Sequence, residues 1–280
     1  MDASNLNIIK SSGFKDKFSI HKLENSLLKS GADPATIQHI VGTVVDEIYE
    51  GISTKEIYNR AFSMLKKKKG IYASKYKLKK AIYELGPTGF PFENFVGALL
   101  HYSGYEIKLR KILQGACVKH EVDIIARKKK TNIIAECKFH NEEGRNCNVK
   151  VPLYIHSRYQ DILNNYKSKP ATHDFPSEAW VITNTRFTKD AITFGNCAKL
   201  YLLSWDYPKG NSLRERIDRL FLYPITVSTL LSNREKQFLL SRDIVLVRQL
   251  IKDAFYLDHL GVSENRKNRI KEEIHSLCNL

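Results

Sequence analysis

Hydrophobic spacing along the first part of the chain predicts a short strand pair followed by helices. The apolar pair Ile8-Ile9 predicts one strand, and residues 17–19 predict a second. Apolar residues then recur at the three- and four-residue spacing of helices with one buried face, at 23–28, 37–48, 57–65 and 72–85. Asp33-Pro34 and Thr54 have the chemistry of helix starts. This part is predicted to be mostly helical with a small β-hairpin.

The pattern changes after 86–91, a stretch in which two Gly and two Pro residues predict a domain boundary. Strands and helices then alternate, as in an α/β core. The strands are predicted at 105–110, 121–127, 132–138, 179–183 and 199–203, and the helices at 92–103, 153–166 and 188–196. From residue 211 the pattern is helical, at 214–222, 230–240, 245–258 and 263–277. The predicted fold class is multidomain α/β, with domains at 1–87, 88–208 and 209–280.

Composition predicts the kind of partner that the protein binds and the cellular compartment in which it lies. Lys and Arg number 45 against 30 Asp and Glu, so the net charge is +15, which suits a partner made of phosphates. We expect no membrane segment, because no apolar run approaches about 18 residues, and no signal peptide at the N-terminus. Five scattered cysteines argue against a disulfide framework and predict a cytoplasmic protein.

Two carboxylates and one lysine fall on a predicted hairpin. The segments 121–127 and 132–138 are joined by a short basic turn, so they should pair. Side chains alternate along a strand, which places Glu136 and Lys138 on one face and lets Asp123 lie beside Glu136. Neighbouring buried carboxylates repel unless a cation lies between them, and oxygen ligands suit Mg²⁺ or Mn²⁺. A metal beside Lys138 supplies the parts for phosphodiester hydrolysis. The competing interpretation is a surface salt bridge, and the apolar residues around the hairpin weaken it.

Asp123 followed by Glu136-x-Lys138 resembles the core of the PD-(D/E)xK nucleases. Phe92-Glu93 after a glycine-containing turn, then Leu99-Leu100 and Gly104-Tyr105, resembles the opening of the Mrr-like type IV restriction endonucleases. The resemblance covers residues 88–207 and implies a restriction-endonuclease-like core with a mixed sheet. It also implies that Asp123, Glu136 and Glu93 bind the metal, that Lys138 joins them in catalysis, and that DNA is the substrate.

The first region resembles the ATP-cone, a nucleotide-sensing module. Ile8-Ile9-Lys10 with Gly13, His21-Lys22-Leu23, Ser30-Gly31-Ala32 and Ile52-Ser53-Thr54-Lys55 carry this resemblance over about residues 5–85. It implies that Lys10 and Lys22 hold the phosphates of ATP or dATP, which would act as a regulator. The alternative is an ATP-cone fold kept only to contact DNA or to dimerise.

Several other features keep two interpretations. His120 and His140 flank the predicted site as rim residues or as ligands of phosphate or metal. Arg158 and Asp161 have the i, i+3 spacing of a surface ion pair, with a phosphate contact from Arg158 as the alternative. Around residues 260–262 the chain resembles a helix-hairpin-helix or forms part of a plain helical bundle.

The sequence thus predicts a metal-dependent DNA endonuclease of the restriction or defence type, regulated by ATP or dATP. Two alternatives are a nucleotide-responsive nucleic-acid-binding protein without cleavage activity and an RNA-cleaving nuclease. Cutting of both strands by one active site per chain would favour a homodimer.

Overall fold

The structure is a computed structural model that describes residues 5–10, 13–168, 175–252 and 255–279. The contacts between Cα atoms divide the chain into two compact units. Unit 1 contains Met1–Ile82 together with Tyr223–Leu280, and unit 2 contains Tyr83–Leu222. The first and last segments of the chain therefore belong to one unit. This division into two units does not test the three predicted domains, which remain a prediction.

Helices dominate both ends of the chain, and most of the strands lie between residues 106 and 203. The helices and strands up to residue 138 are, in order, β1 (Asn7–Ile9), β2 (Lys15–Lys17), α1 (Ile20–Leu28), α2 (Pro34–Glu47), α3 (Thr54–Lys68), α4 (Gly70–Tyr76), α5 (Leu78–Tyr83), α6 (Phe90–Tyr102), β3 (Glu106–Gln114), β4 (Lys119–Lys128) and β5 (Thr131–Lys138). Those from residue 146 are β6 (Asn146–Cys147), α7 (Lys150–Lys167), β7 (Glu178–Thr183), β8 (Arg186–Phe187), α8 (Lys189–Cys197), β9 (Tyr201–Leu203), α9 (Leu213–Leu220), α10 (Asn233–Leu240), α11 (Gln249–Lys252), α12 (Phe255–His259) and α13 (Glu264–Cys278). No helix among the described residues is long and apolar enough to cross a membrane.

Unit 1 begins with the predicted β-hairpin and continues with helices whose caps are set by local chemistry. Asp33 caps α2 by accepting a hydrogen bond from the backbone N–H of Thr36, and Pro34 occupies the first turn, as predicted. The predicted Thr54 cap of α3 is wrong by one residue, because the Ser53 hydroxyl accepts from the N–H of Glu56. The apolar faces of α1, α2 and α3 form one buried cluster with residues of the hairpin.

The helix predicted over 72–85 is in fact two helices, α4 and α5. The break falls at Lys77, whose buried ammonium group donates to the carbonyl of Thr226 at 3.1 Å. That tertiary contact leaves no periodic signal in the sequence. The helix predicted over 245–258 begins later than expected, because the described part of it starts with α11 at Gln249 and continues with α12. Residues 253–254 lie outside the described residues.

A buried carboxylate links the two chain segments of unit 1. Glu273, on α13, accepts hydrogen bonds from the Ser74 hydroxyl at 2.7 Å and the Ser228 hydroxyl at 2.5 Å. It also accepts from the backbone N–H and the hydroxyl of Thr229, at 2.8 and 2.9 Å. Four neutral donors therefore surround this carboxylate, and they come from α4 and from the segment before α10.

Unit 2 contains a mixed five-stranded sheet in the order β3-β4-β5-β7-β9, which confirms the predicted α/β class. The first two pairings are antiparallel, and β5-β7 and β7-β9 are parallel. Strand β7 lies between the two strands to which it is parallel, and it is buried at every position after Glu178, as expected for a parallel strand covered on both faces. Helix α6 contacts β3, β4 and β5, and α7 contacts β3, β7 and α8.

Candidate functional site

Asp123 lies at a point where the sheet departs from regular pairing. The antiparallel register of β4 with β5 runs as far as Ile124 opposite Ala135. One residue beyond, the Asp123 carboxylate accepts a hydrogen bond from the backbone N–H of Cys137 at 2.7 Å. On its other side β4 faces β3 at Arg110, which has a left-handed φ of +48° and is omitted from the ladder. The hairpin thus places Asp123 beside Glu136, as the alternation of side chains predicts.

Glu136 is mostly buried and forms an ion pair. Its Oε2 atom accepts from Arg158 Nη1 at 2.5 Å. The pKa of Glu136 is raised to about 7, first by burial and then by the negative charge of Asp123, while Arg158 and Lys138 act in the opposite direction. Burial therefore disfavours the charged form of Glu136 more than any neighbouring charge does. A shifted carboxyl group beside a second carboxylate is typical of functional sites.

Asp123 and Glu93 share the same electrostatic environment. Burial is the largest cause of the raised pKa of Asp123, and hydrogen bonding by Cys137 and the charge of Arg158 oppose it. Burial, and then the charge of Asp123, raises the pKa of Glu93. Glu136 is in turn sensitive to the charge of Glu93. The three predicted carboxylates are thus mutually coupled.

Helix α6 positions Glu93 by packing closely on the sheet. A Cβ atom at Gly97 would lie 2.9 Å from a methyl group of Leu109 on β3, so a larger residue there would displace the Leu109 side chain. One turn earlier, Glu93 lies in the first turn of α6 with its side chain nearly buried. Arg110 Nη1 donates to Glu93 at 3.3 Å and to the Asn94 side chain at 2.9 Å. Arg110, the residue with the left-handed φ, is thus also the residue of β3 whose side chain contacts α6 in this way.

The predicted linker is part of unit 2. A Cβ atom at Gly86 would lie 2.7 Å from the Asn141 side chain and 2.9 Å from the ring of Phe139. The Asn141 amide donates to the carbonyl of Pro87 at 2.9 Å, and the ring of Phe139 contacts that of Phe92. The stretch before α6 therefore packs against the residues that follow β5, and this contact joins the start of α6 to the end of β5.

Lys138 is the last residue of β5 and is exposed. Within the part of the chain that the structure describes, its ammonium group makes no side-chain hydrogen bond or ion pair. Its charge lowers the pKa of both Asp123 and Glu136. The ammonium group is therefore close enough to act on the two carboxylates and is available to a water molecule or a substrate.

The carboxylate oxygens of this site are ligands of the kind that a hard divalent cation prefers, although they do not surround a single metal position. In residues 5–10, 13–168, 175–252 and 255–279, no three His, Cys, Asp or Glu side chains are grouped to hold a metal ion. Asp123 and Glu136 are adjacent, whereas Glu93 and Glu136 each contact an arginine. Carboxylate oxygens with raised pKa values are nevertheless the ligands whose repulsion Mg²⁺ or Mn²⁺ would relieve.

The predicted surface pair between Arg158 and Asp161 is wrong. Arg158 contacts Glu136, and Asp161 accepts from the ring of His120 at 2.7 Å. Asp161 also accepts from the backbone N–H of Cys117 at 2.8 Å, so it holds the turn between β3 and β4. The i, i+3 spacing could not report this, because both partners come from strands far away in sequence. The place of Arg158 on the helix that follows the core strands is the sequence feature that could have pointed to its contact with Glu136.

His140 occupies the rim beyond Lys138. Its backbone N–H donates to the Asn184 side chain and its carbonyl accepts from the same amide, each at 2.9 Å. Burial lowers the pKa of His140, and the charges of Arg145 and Lys138 lower it further. A neutral imidazole is therefore favoured at neutral pH.

Lys10 and Lys22 lie together in unit 1. Both contact the carboxylate of Asp16, at 2.7 and 3.5 Å. They line a cavity of about 210 Å³ whose wall also includes Thr54 and Tyr58. Two residues 12 apart in sequence are thus brought to one cavity, as the predicted phosphate contacts require.

The fold and site define a class of protein with a mixed α/β unit that carries clustered carboxylates and a separate, mostly helical unit. A family model described as AF1548-like, C-terminal, matches residues 223–278. The chain is 32% identical over 129 residues to an "Uncharacterized protein" of Archaeoglobus fulgidus, a match that covers 46% of this chain and 68% of the relative. The chain therefore belongs to the AF1548-like family.

A solved structure has a similar fold. It is described as the crystal structure of a "Protein of Unknown Function AF1548", and its TM-score with this chain is 0.55 at 25% identity. The match covers 69% of this chain and 100% of the other.

Proposed function

We propose that this protein is a metal-dependent DNA endonuclease that hydrolyses phosphodiester bonds. The observation that carries the proposal is geometric: Asp123, held by the N–H of Cys137 at 2.7 Å, lies beside Glu136, and Lys138 ends the same strand as Glu136. Both carboxylates are partly removed from solvent, and burial raises the pKa of each. Neighbouring carboxylates in such a setting are an arrangement expected of a cation site.

Each residue has a distinct part in this proposal. Asp123 and Glu136 would hold Mg²⁺ or Mn²⁺, and Glu93 would hold the metal or one of its waters. The cation, when bound, neutralises charge on the phosphate and lowers the pKa of a bound water. Lys138 would orient the attacking water and stabilise charge that develops on the phosphate. Cys137 N–H fixes the Asp123 carboxylate by hydrogen bonding, so that ligand needs little reorganisation.

The charge of the whole chain supports a nucleic-acid substrate. A net charge of +15 attracts a phosphate backbone and speeds association at low salt. We propose DNA as the substrate and restriction or defence as the role, both from the resemblance of residues 88–207 to Mrr-like nucleases.

We further propose that ATP or dATP binds unit 1 and regulates the activity. The cavity that Lys10 and Lys22 line supports this, because two ammonium groups at one opening suit a polyphosphate. Both lysines contact the Asp16 carboxylate and would exchange it for the phosphates of the nucleotide. Lys10→Ala and Lys22→Ala should each weaken nucleotide binding measured by calorimetry, and they should leave the thermal unfolding midpoint nearly unchanged.

The test of the cleavage proposal uses methylated and unmethylated plasmid with Mg²⁺ or Mn²⁺, with and without ATP and dATP. Wild type should cut, and Lys138→Ala should not. Lys167→Ala removes the same charge from the exposed last turn of α7 and serves as the control. Equal cutting by wild type and Lys138→Ala would contradict the assignment of Lys138.

The same cleavage experiment distinguishes two alternative functions. Binding of DNA without any cutting under every condition would favour a nucleotide-responsive nucleic-acid-binding protein. Preferential cutting of matched RNA would favour an RNA-cleaving nuclease.

A further inference from the structure

Arg158 has a set of contacts that the proposed cleavage site does not explain. It lies in the middle of α7, and its side chain is only 15% exposed. Its Nη1 atom donates to Glu136 at 2.5 Å and to the backbone carbonyl of Glu121 at 3.0 Å. Its Nη2 atom donates to the hydroxyl of Tyr154 at 2.8 Å. The guanidinium group therefore reaches into the space between β4 and β5, beside the two carboxylates.

One donor of this guanidinium is not used. The Nε atom of Arg158 is buried and has no hydrogen-bond partner among the described residues. A buried arginine that serves only to stabilise a fold normally satisfies its donors, because a donor that is buried without a partner loses its hydrogen bonds to water. Arg158 is thus held in an incompletely satisfied state, which suggests that a further acceptor belongs here.

Glu136 cannot serve Arg158 and a divalent cation equally well. A cation bound to the Glu136 carboxylate would withdraw negative charge from the ion pair and would repel the guanidinium at short range. The contacts with the Glu121 carbonyl and Tyr154 do not depend on Glu136 and would keep the arginine nearby. Its planar fork would then face a site where a phosphate must lie, and a guanidinium fork matches two phosphate oxygens.

We propose that Arg158 is a cation-linked substrate contact. It pairs with Glu136 when no divalent cation is bound, and cation binding transfers it to a non-bridging oxygen of the phosphate to be cleaved. This inference rests on the proposed function, because it requires that Glu136 holds the cation. It adds a residue for substrate binding and predicts that cation and DNA bind cooperatively.

The first test measures binding of Mn²⁺ alone by calorimetry, with no DNA present. Arg158→Gln removes the competing charge from Glu136, so it should bind Mn²⁺ about tenfold more tightly than wild type, within the usual range of coupling between sites. Arg219→Gln removes the same charge from an exposed position on α9 and should bind Mn²⁺ as wild type does. Unchanged or weaker Mn²⁺ binding by Arg158→Gln would overturn the competition.

The second test measures the affinity for a defined DNA duplex with Ca²⁺ and with chelator. Ca²⁺ should tighten the binding of DNA by wild type. This gain in affinity should be about tenfold smaller in Arg158→Gln. Arg158→Lys keeps the charge but lacks the fork, so its Mn²⁺ affinity should stay near wild type while its gain from Ca²⁺ falls. This variant also keeps the proposal testable if Arg158→Gln folds poorly. Equal gains in wild type and both variants would show that Arg158 does not contact the DNA.

Failure of the proposed function gives a different result. If Asp123→Asn and wild type bind Mn²⁺ identically, the carboxylates do not form the cation site. The nuclease proposal then fails, and Arg158 becomes one half of a structural ion pair. If Asp123→Asn abolishes Mn²⁺ binding while Arg158→Gln changes neither measurement, only the inference about Arg158 fails.

Discussion

Each of the two units buries a glutamate, and the two glutamates differ in what surrounds them. In unit 1, Glu273 accepts hydrogen bonds from two serines and a threonine, all of them neutral donors. In unit 2, Glu136 has another carboxylate beside it, an arginine at 2.5 Å, and a pKa of about 7. Both carboxylates are removed from most of the solvent, so burial alone does not separate them.

The difference separates a carboxylate that holds a fold together from one that suits a ligand. Neutral donors satisfy Glu273 without adding charge, and they come from segments far apart in sequence. Glu136 instead takes part in a cluster whose negative charges raise one another's pKa values. The first arrangement is complete within the chain, while the second is one whose repulsion a cation would relieve under the proposed function. Four predictions test this contrast.

The largest expected effect is on cleavage. Asp123→Asn should lower the rate of plasmid cleavage by about 10²–10³-fold, the usual loss when one group that stabilises the transition state is removed. The same change relieves repulsion with Glu136, so it should not lower the free energy of unfolding. A gel assay and a denaturant titration measure the two quantities. Loss of stability together with activity would make Asp123 a structural residue like Glu273.

The second effect is on stability in unit 1. Glu273→Ala should lower the free energy of unfolding by about 2–4 kcal/mol, because it leaves the Ser74 and Ser228 hydroxyls and the Thr229 amide without their acceptor. The neighbouring Glu272 is exposed, and Glu272→Ala should change the free energy by about 0.5 kcal/mol or less. Urea titration measures both. Similar losses in the two variants would show that the buried hydrogen bonds contribute little.

The third effect is a pH dependence due to Glu136. Its folded pKa lies above the unfolded value of 4.5, so its stabilising contribution is full below pH 4.5 and is lost as pH rises toward 7. We expect a loss of about 1–3 kcal/mol of unfolding free energy across this window. Glu136→Gln should flatten the change, and Mn²⁺ should restore stability at pH 7.5 in wild type only.

Thermal unfolding at pH 5, 6, 7 and 8 measures this dependence as the difference between wild type and Glu136→Gln. Other titrating groups cancel in that difference. Parallel curves for the two proteins would mean that Glu136 is ionised at all these pH values, like an ordinary exposed glutamate.

The smallest effect concerns the backbone at Arg110. Arg110→Gly removes the strain of a left-handed residue but also loses the contact with Glu93, so stability should stay level or rise by up to about 1 kcal/mol. Lys111→Gly, at the next position with an ordinary φ, should lose about 0.5–1 kcal/mol. Urea titration separates the two. Equal losses would show that the chain stores no strain at Arg110.

Local patterns predicted much of the fold. The hairpin of β4 and β5 is confirmed because apolar alternation and the basic turn are local features. The start of α2 at Asp33-Pro34 is also confirmed, since capping involves residues three apart. Predictions went wrong at places where the chain makes contacts distant in sequence, as at Lys77 between α4 and α5. The second strand was placed two residues late, because Ser19 instead caps α1.

The candidate site was predicted in part for the same reason. Alternation along two adjacent strands was enough to bring Asp123 toward Glu136. The contacts of Arg158 and Arg110 were not predictable, because they depend on how α7 and α6 lie against the sheet. The spacing of Arg158 and Asp161 even favoured a wrong pair.

The sequence by itself determined the class of the fold, the hairpin that carries the carboxylates and the excess of positive charge, since these follow from local periodicity and composition. Only the tertiary structure decided which arginine neutralises which glutamate and that both ends of the chain share one unit. It also decided how strongly the carboxylates raise one another's pKa values. Those properties depend on burial and on distances between residues remote in sequence, and no local pattern encodes either quantity.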